Sequence, residues 1–595
     1  MSPHDHSEAS AQTLNGAEVL LRILEEEGVD VIFGYPGGAV LPIYDALFKQ
    51  NTIRHILVRH EQAAVHAAEA YARSTGKVGV VLVTSGPGGT NTVTGLMDAK
   101  MDSVPVVCLS GQVPVPLLGK DAFQEADIVA ITAPITKKST IVKTPDSLAS
   151  IVRDAFKTAR SGRPGPVLVD LPKNITTSPA PLPPISAKQP AEAPQKTISS
   201  KSISDAIAAL ETARRPLFYI GGGLVNAGDE AVSLFRELAA KTGFPVTSTL
   251  MALGAFPASH AQSLGMIGMH GAVEANMAAH ECDVLIALGA RFDDRVTGRV
   301  DAFSPHSFKI QADIDPREFG KIIPVNVTLE GDLTETLRLL LQSWGDRSAP
   351  DLKTWWDKIE NWRDVKGFSF EQSHEPHAAI KPQYAIRRLH QLSQERGKET
   401  YVTTEVGQHQ MWAAQHFGFE KPAHWLTSGG LGTMGYGLPA TVGVQIAHPD
   451  ALVIDIAGEA STLMNIQELG TIVQYRLPVK IFILNNHYMG MVRQWQELLH
   501  GSRYSQSYSE SLPDFVRLAE SFGLKGLRAR HVGELDKVIT EMLAYDGPVL
   551  ADICVAEEEN CYPMIPSGAA HNQMLLGPDR VYGGAELTEE GKHLV

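Results

Sequence analysis

Short, wholly apolar stretches alternating with amphipathic ones constrain this chain more than any other feature. In its first block "DVIFGYP", "ILVR", "VGVVLVTSG" and "VPVVCLSG" read as strands. Between and around them "GAEVLLRILEEEG", "AVLPIYDALF", "EQAAVHAAEAYARSTG" and "TNTVTGLMDAKM" read as helices. A strand apolar on both faces needs cover on both faces, and helical crossovers supply it, so the sheet is parallel. The pattern recurs around "PLFYIGGG", "CDVLIALGAR" and "FKIQADID", and again around "TYVTTEVG", "ALVIDIAG" and "VKIFILNN". The expected fold class is α/β, with three doubly wound parallel-sheet domains.

The blocks divide the chain into an N-terminal domain (13–178), a linker (179–200), a central domain (201–345), a helical connector (346–381), a third domain (382–556) and a tail (557–595). The linker has six prolines in "TTSPAPLPPISAKQPAEAPQKTISS", which favour an extended, exposed segment. The connector carries Trp355, Trp356 and Trp362, and the tail reads as irregular, lying over the body as a candidate lid.

A formal charge of −15 with no basic run argues against a nucleic-acid partner. Cys108, Cys282, Cys554 and Cys561 form no CxxC pair and read as buried thiols of a reducing compartment. No apolar stretch approaches the roughly 20 residues of a membrane span, and "MSPHDHSEASAQTLNG" resembles no signal or transit peptide. The expectation is a cytoplasmic protein with no membrane association.

In open α/β sheets, ligands sit beyond the carboxyl ends of the strands. There the third block places Glu459 after "ALVIDIAG" and Asn485-Asn486 after "VKIFIL". A carboxylate and an amide oxygen are hard ligands that suit Mg²⁺. The glycine-rich turns "GQHQMWAAQ" and "GGLGTMGYGLP" open helices whose N–H groups could face an anion. A helix cap and a loop turn explain each feature alone. Together, on neighbouring strands, they favour a metal and diphosphate site.

Glu61 opens a helix, where an acid commonly complements the dipole. His60 and His66 are spaced too far around that helix to share a metal. "SGPGGTN" is another turn suited to close backbone approach. "YIGGG" and "LGARFDDR" could hold a nucleotide, although a bare packing turn is at least as good a reading of three glycines. No Gly-x-Ser-x-Gly elbow or GxxxxGK[ST] loop occurs.

"GEAS…NN" and "VRHEQAAVHAAEAYAR" resemble the metal–diphosphate and activating-glutamate segments of thiamine-diphosphate enzymes. "FGYPGGAVLPIYDAL", "SGQVP…DAFQEADIV", "SGRPGPVLVDLPK", "GARFDDRVTG" and "MGMVRQWQELLHG" extend the resemblance, from about Asn15 to Leu576, to the acetolactate synthase (acetohydroxyacid synthase) catalytic subunits. The resemblance implies pyrimidine-binding, FAD-binding and diphosphate-binding domains, in that order. It implies thiamine diphosphate, Mg²⁺ and FAD as cofactors, and pyruvate and 2-oxobutanoate as substrates of branched-chain amino-acid biosynthesis. It also implies a homodimer or homotetramer, with a site shared between chains, joined by a small regulatory subunit.

By the same resemblance Glu61 bonds to the aminopyrimidine, and Gln112 and the Gly37-Gly38 turn line the reaction centre. Gln408, His409, Met434, Gly458 and Met491 approach the thiamine cofactor. Glu459 and Asn486, with the carbonyl of Tyr488, hold the metal. Pro105, Phe123, Lys173 and Trp495 shape the substrate pocket. Arg163, Gly221, Gly222, Gly223, His270, Arg291, Asp315 and Asp332 contact FAD. One departure stands out, since the family usually has Asp where this chain has Glu459.

Three other readings compete. A glyoxylate carboligase would lack Glu61, and a simple 2-oxo acid decarboxylase or oxidase would lack "RQWQELLHG". A non-catalytic FAD-binding subunit would need a broken metal motif.

Overall fold

The computed structural model describes residues 14–181 and 198–593. Most of the proline-rich linker, the first 13 residues and the last two lie outside the described residues. By contacts the chain separates into two compact units, residues 1–72 with 77–193, and 73–76 with 194–595.

The first unit holds one six-stranded sheet: β1 (Val31–Gly34), β2 (Arg54–Leu57), β3 (Gly79–Val83), β4 (Val106–Gln112), β5 (Lys138–Ile141) and β6 (Val167–Pro172). Every pairing is parallel, in the order 2-1-3-4-6-5. Strands β3, β4 and β6 are buried along their whole length, as their unbroken apolar runs require. The predicted helix over "TNTVTGLMDAKM" divides into Pro87–Thr90 and Val93–Met101. The start of the linker is docked rather than free: Pro179 bridges Asn15, and Ala180 is buried while its N–H donates to the Leu14 carbonyl.

The second unit holds two further six-stranded parallel sheets. The middle sheet comprises β7 (Pro216–Ile220), β8 (Val246–Ser248), β9 (Ser263–Met266), β10 (Val284–Leu288), β11 (Phe308–Asp313) and β12 (Val327–Glu330). Its spatial order is 12-11-10-7-8-9, the doubly wound arrangement of dinucleotide-binding folds, with its switch point between β7 and β10. The third sheet comprises β13 (Thr400–Thr404), β14 (Trp425–Leu426), β15 (Leu452–Gly458), β16 (Lys480–Asn485), β17 (Lys525–Ala529) and β18 (Val549–Cys554). Its order, 14-13-15-16-18-17, repeats the topology of the first sheet.

Two sequence expectations need correction. The connector is a helix (Lys353–Arg363) that belongs to the central core, where Trp355 and Trp362 are buried and the Trp355 Nε1–H donates to the Pro216 carbonyl at 3.1 Å. The tail is not wholly irregular. Its strands β19 (Met574–Gly577) and β20 (Arg580–Tyr582) form an antiparallel hairpin, and Ile565, Ala569, Met574 and Leu576 enter the same central core. Sparse apolar residues there hid a segment that borrows its core from another domain.

Close helix–strand packing at the third sheet depends on Gly437, which opens the helix Gly437–Ala447. A Cβ there would lie 2.4 Å from Asp455 Oδ1 and 2.6 Å from the Glu405 nitrogen. We predict that Gly437→Ala costs about 1–3 kcal/mol through overpacking, read as a lower urea midpoint. An unchanged midpoint would show that the helix can slide away.

Candidate functional site

Strands β13 and β15 diverge at the switch point of the third sheet, and four predicted residues follow their carboxyl ends. Gln408 and His409 start the helix Gln408–His416 after β13, while Gly458 ends β15 and Glu459 follows it. Gly458 pairs with Leu484 of β16, so Asn485 and Asn486 emerge beside Glu459. The spacing has its explanation in that register: two strands run side by side and stop together.

The structure separates the roles of the two asparagines. Asn485 Nδ2 donates to Asp552 Oδ1 at 3.0 Å, and its Oδ1 accepts from the His487 N–H. Asn486 Oδ1 accepts only from the Tyr488 N–H at 3.2 Å, and so keeps a lone pair. His487 takes φ 61°, a left-handed conformation that turns the chain sharply after the pair.

Several buried polar atoms here make no hydrogen bond: Glu459 Oε1, Gln408 Oε1, His409 Nε2 and Thr433 Oγ1. Their backbone surroundings are stripped of side chains. A Cβ on Gly458 would fall 2.7 Å from His409 Nδ1, and one on Gly490 would fall 2.1 Å from Gln408 Oε1. Burial holds the His409 imidazole down at about 3, so it is neutral. Burial pushes Glu459 up to about 8, against the backbone N–H groups of Glu459 and Asn486, and the charge of Asp552 adds to the rise. A buried carboxylate with an open oxygen, beside an amide oxygen with an open lone pair, fits a hard divalent cation.

Sequence reasoning missed what holds this edge in place. Glu405 is buried and accepts from the Gly435 N–H at 2.6 Å and the Leu438 N–H at 3.0 Å, pinning the turn that carries Met434. Gln408 Nε2 donates to Gln494 Oε1 and to the Glu559 carbonyl, while the Cys561 N–H donates to the same Gln494 oxygen. Arg493, only 1% exposed, donates to the Glu558 carbonyl and Asn560 Oδ1. The start of the tail is thus a strap anchored at the site. Met491 and Trp495 lie one turn apart on the helix Gly490–Leu499, both half-buried.

In the first unit, Glu61 opens the helix Glu61–Thr75, and its Oε2 accepts from Asn91 Nδ2 at 2.9 Å. The Gly88 Cα is bare against Glu61 Oε1, so the "SGPGGTN" turn wraps this carboxylate. Gly37 faces Thr84 so closely that a Cβ would fall 2.5 Å from its hydroxyl, whereas Gly38 faces open space. His66 is buried beside Asp98, away from His60, whose Nδ1 accepts from the Gln62 N–H.

Gln112 ends β4 in register with Pro172, so it stands beside Lys173, the next residue after β6. Phe123 is 89% exposed. Pro105 is not part of this group and corrects the sequence expectation. It precedes Val106 at the amino end of β4, roughly 23 Å from Gln112 at about 3.3 Å per residue. The proline on the Gln112 side is Pro114, which opens the turn Val115–Leu117.

At the middle switch point, the glycines after β7 meet the turn after β10. A Cβ on Gly221 would lie 2.2 Å from the Gly289 carbonyl, and the Gly223 N–H donates to that same oxygen. Gly221 and Gly223 therefore serve backbone packing first, and Gly222 packs on Met251. Buried Thr249 Oγ1 and Gln311 Oε1 make no hydrogen bond beside this edge, which fits a dinucleotide's polar groups. His270 is buried, its Nδ1 3.2 Å from the Pro563 carbonyl, and burial holds it down at about 4. Arg291 follows β10, and Asp315 pairs with Arg317. Asp332 caps the helix Leu333–Trp344, and Arg163 donates to Ser103 Oγ in the first unit.

Comparison with known proteins agrees with this architecture. Family models described as the N-terminal TPP binding, central, and C-terminal TPP binding domains of thiamine pyrophosphate enzymes match residues 14–131, 203–340 and 405–553. The chain is 45% identical to the acetolactate synthase large subunit of Haemophilus influenzae, over 95% of this chain and 98% of that one. It is 46% identical to the acetolactate synthase isozyme 3 large subunit of Escherichia coli, over 95% and 99%. The large subunit of Parasynechococcus marenigrum is 48% identical over 95% and 91%.

The raised pKa of Glu459 links stability to pH. A carboxyl raised from 4.5 to about 8 contributes stability that is fully present below pH 4.5 and lost as pH rises through 8. In the absence of divalent cations, we predict that Glu459→Gln gains stability over the wild type progressively from pH 4.5 to about 8 and keeps that gain above it. The gain is capped at roughly 3–5 kcal/mol, and urea midpoints in EDTA measure it. Parallel pH curves for the two proteins would refute the assignment. By fold and similarity alike, the chain belongs to the family of acetolactate synthase large subunits, within the thiamine-pyrophosphate enzymes.

Proposed function

We propose that this chain is the catalytic subunit of an acetolactate synthase. It removes carbon dioxide from pyruvate and joins the remaining two-carbon unit to a second 2-oxo acid, giving 2-acetolactate from pyruvate or 2-aceto-2-hydroxybutanoate from 2-oxobutanoate. The carrying observation is the edge where Glu459 and Asn486 stand beside the open polar atoms of Gln408 and His409.

Thiamine diphosphate, when bound, supplies the electron sink for loss of carbon dioxide. Glu459, Asn486 and the Tyr488 carbonyl would hold Mg²⁺, and Gln408 and His409 would meet the diphosphate. Met434 and Met491 support the cofactor's body. Glu61, oriented by Asn91, holds a proton at the aminopyrimidine. Gln112 and Gly38 border the reacting carbon, and Lys173, Phe123 and Trp495 border the second 2-oxo acid. One methylene in an apolar pocket is worth roughly 1–3 kcal/mol, so the wall around Trp495 sets the choice between pyruvate and 2-oxobutanoate. FAD would lie along the middle switch point, near Gly222, His270, Arg291 and Asp315, with Asp332 at its periphery.

The working unit is a homodimer or homotetramer in the cytoplasm, in which Glu61 of one chain serves the diphosphate site of another. A small regulatory subunit joins it. The relatives' designation as large subunits supports that partner. Among the described residues no helix is long and apolar enough to cross a membrane.

Acetoin formed from acetolactate after acidification, with pyruvate, Mg²⁺, thiamine diphosphate and FAD supplied, tests the activity. No colour from the complete mixture would defeat the proposal. Glu61→Gln is expected to keep the fold and cofactor binding but lose about 10²–10⁴ in turnover, and near-normal turnover would return Glu61 to a helix-dipole role. Glu459→Ala is expected to abolish metal-dependent binding of thiamine diphosphate, followed by tryptophan fluorescence, while Glu459→Asp stays active. Unchanged affinity in the alanine variant would leave Glu459 without a metal role.

A further inference from the structure

Asp170 is buried to 1% exposure on β6, and the reading above gives it no role. It lies directly across from Ser110 in the β4–β6 register, and Gln112 projects from the same face of β4 two residues on. Its carboxylate accepts from both: Ser110 Oγ–H donates to Oδ1 at 2.7 Å, and Gln112 Nε2–H donates to Oδ2 at 2.9 Å. The second Nε2 hydrogen of Gln112 goes to the Ala126 carbonyl at 2.8 Å. Both donor positions of that carboxamide are thereby filled, and its Oε1 accepts only from the Val113 N–H at 2.9 Å, keeping one lone pair.

A carboxylate is an expensive choice for a buried site, and burial pushes Asp170 up to about 7 despite the donors from Ser110 and Gln112. An asparagine would fill nearly the same space without charge. What asparagine cannot do is present two acceptor oxygens at once. Its NH₂ group would face either the serine hydroxyl, which can also accept, or the glutamine NH₂, which cannot. The costly group therefore adds to the Ala126 carbonyl and the Val113 N–H a contact that, as a carboxylate, accepts from Gln112 whichever way it is turned.

We propose that Asp170 is a positioning residue that fixes the Gln112 carboxamide with both N–H groups turned inward, so that Gln112 offers the reaction centre a hydrogen-bond acceptor and no donor. The inference rests on the placement of Gln112 at the reaction centre. With asparagine at position 170, the asparagine NH₂ can donate to a flipped Gln112 Oε1, and only the Ala126 carbonyl and the Val113 N–H still oppose the flip that turns an N–H donor toward substrate.

A double-mutant cycle in the full-length holoenzyme tests this, using Asp170→Asn, Gln112→Ala and the pair. The readouts are kcat, KM for pyruvate, the dissociation constant for thiamine diphosphate and the urea midpoint. Asp170→Asn should lower kcat at least tenfold, with cofactor affinity within threefold of wild type and a midpoint no lower than wild type. On the Gln112→Ala background the same change should cost nothing further, because residues acting through one another are non-additive. Losses that multiply, or a kcat for Asp170→Asn equal to wild type, would overturn the positioning role while leaving Gln112 in place. Wild-type kcat in Gln112→Ala would remove both the positioning role and the assignment of Gln112. Should Asp170→Asn fail to fold, Asp170→Ser carries the same cycle with the same criteria.

Discussion

The close approach of a bare glycine to the facing strand end at a sheet's switch point is the contact on which the rest of this protein depends. In each of the three sheets, two neighbouring strands send their chains in opposite directions, and their ends fit together because one residue of the facing pair has no side chain. Gly37 against Thr84, Gly221 against Gly289 and Gly458 against His409 are the three instances, each with no room for a Cβ. In the third sheet that narrow passage puts His409 and Glu459 side by side. A parallel sheet delivers every strand's carboxyl end to one edge, so the topology gathers ligands and the glycines let them meet.

Around those crevices the protein accepts an electrostatic cost. Glu459, Asp170 and Glu405 are carboxyls buried in or beside candidate sites, and burial raises the pKa of each. Each has a different job. Glu459 keeps an open oxygen, Asp170 orients a neighbouring amide, and Glu405 clamps the N–H groups of a glycine-rich turn. Asp455 lies in the same core, raised by burial and by the charge of Glu405. Perturbed carboxyls of this kind collect at functional sites because acceptor geometry, once buried, is fixed. In a family that usually carries Asp at position 459, the longer side chain still reaches the edge beside Asn486, since the short helix Glu459–Thr462 begins immediately after the strand.

Much of this was legible in the sequence. Unbroken apolar runs announced the strands that are buried on both faces, such as β4, β15 and β16. The short edge strands were less legible, because β5 and β17 are only partly buried and carry polar residues that blur the signal. Glu61, Glu459 and Asn486 stood out as candidates because each comes just beyond a strand end. Pro105 was assigned by resemblance alone, and it stands at the opposite end of β4 from Gln112.

The sequence by itself determined the class of fold, the three-block plan and the strand ends at which chemistry collects, because periodicity and strand termini are local properties. Only the tertiary structure decided which residues share a crevice. Strand order is set by crossovers between distant segments, and it alone puts β13 beside β15 and β4 beside β6. It also chose Asn486 over Asn485, by drawing Asp552 of β18 onto the first of the two amides. Asp170 gave no sign in its own neighbourhood. Its meaning lies in register, across a strand pairing that joins residues roughly sixty positions apart at the usual spacing of about 4.8 Å between strands.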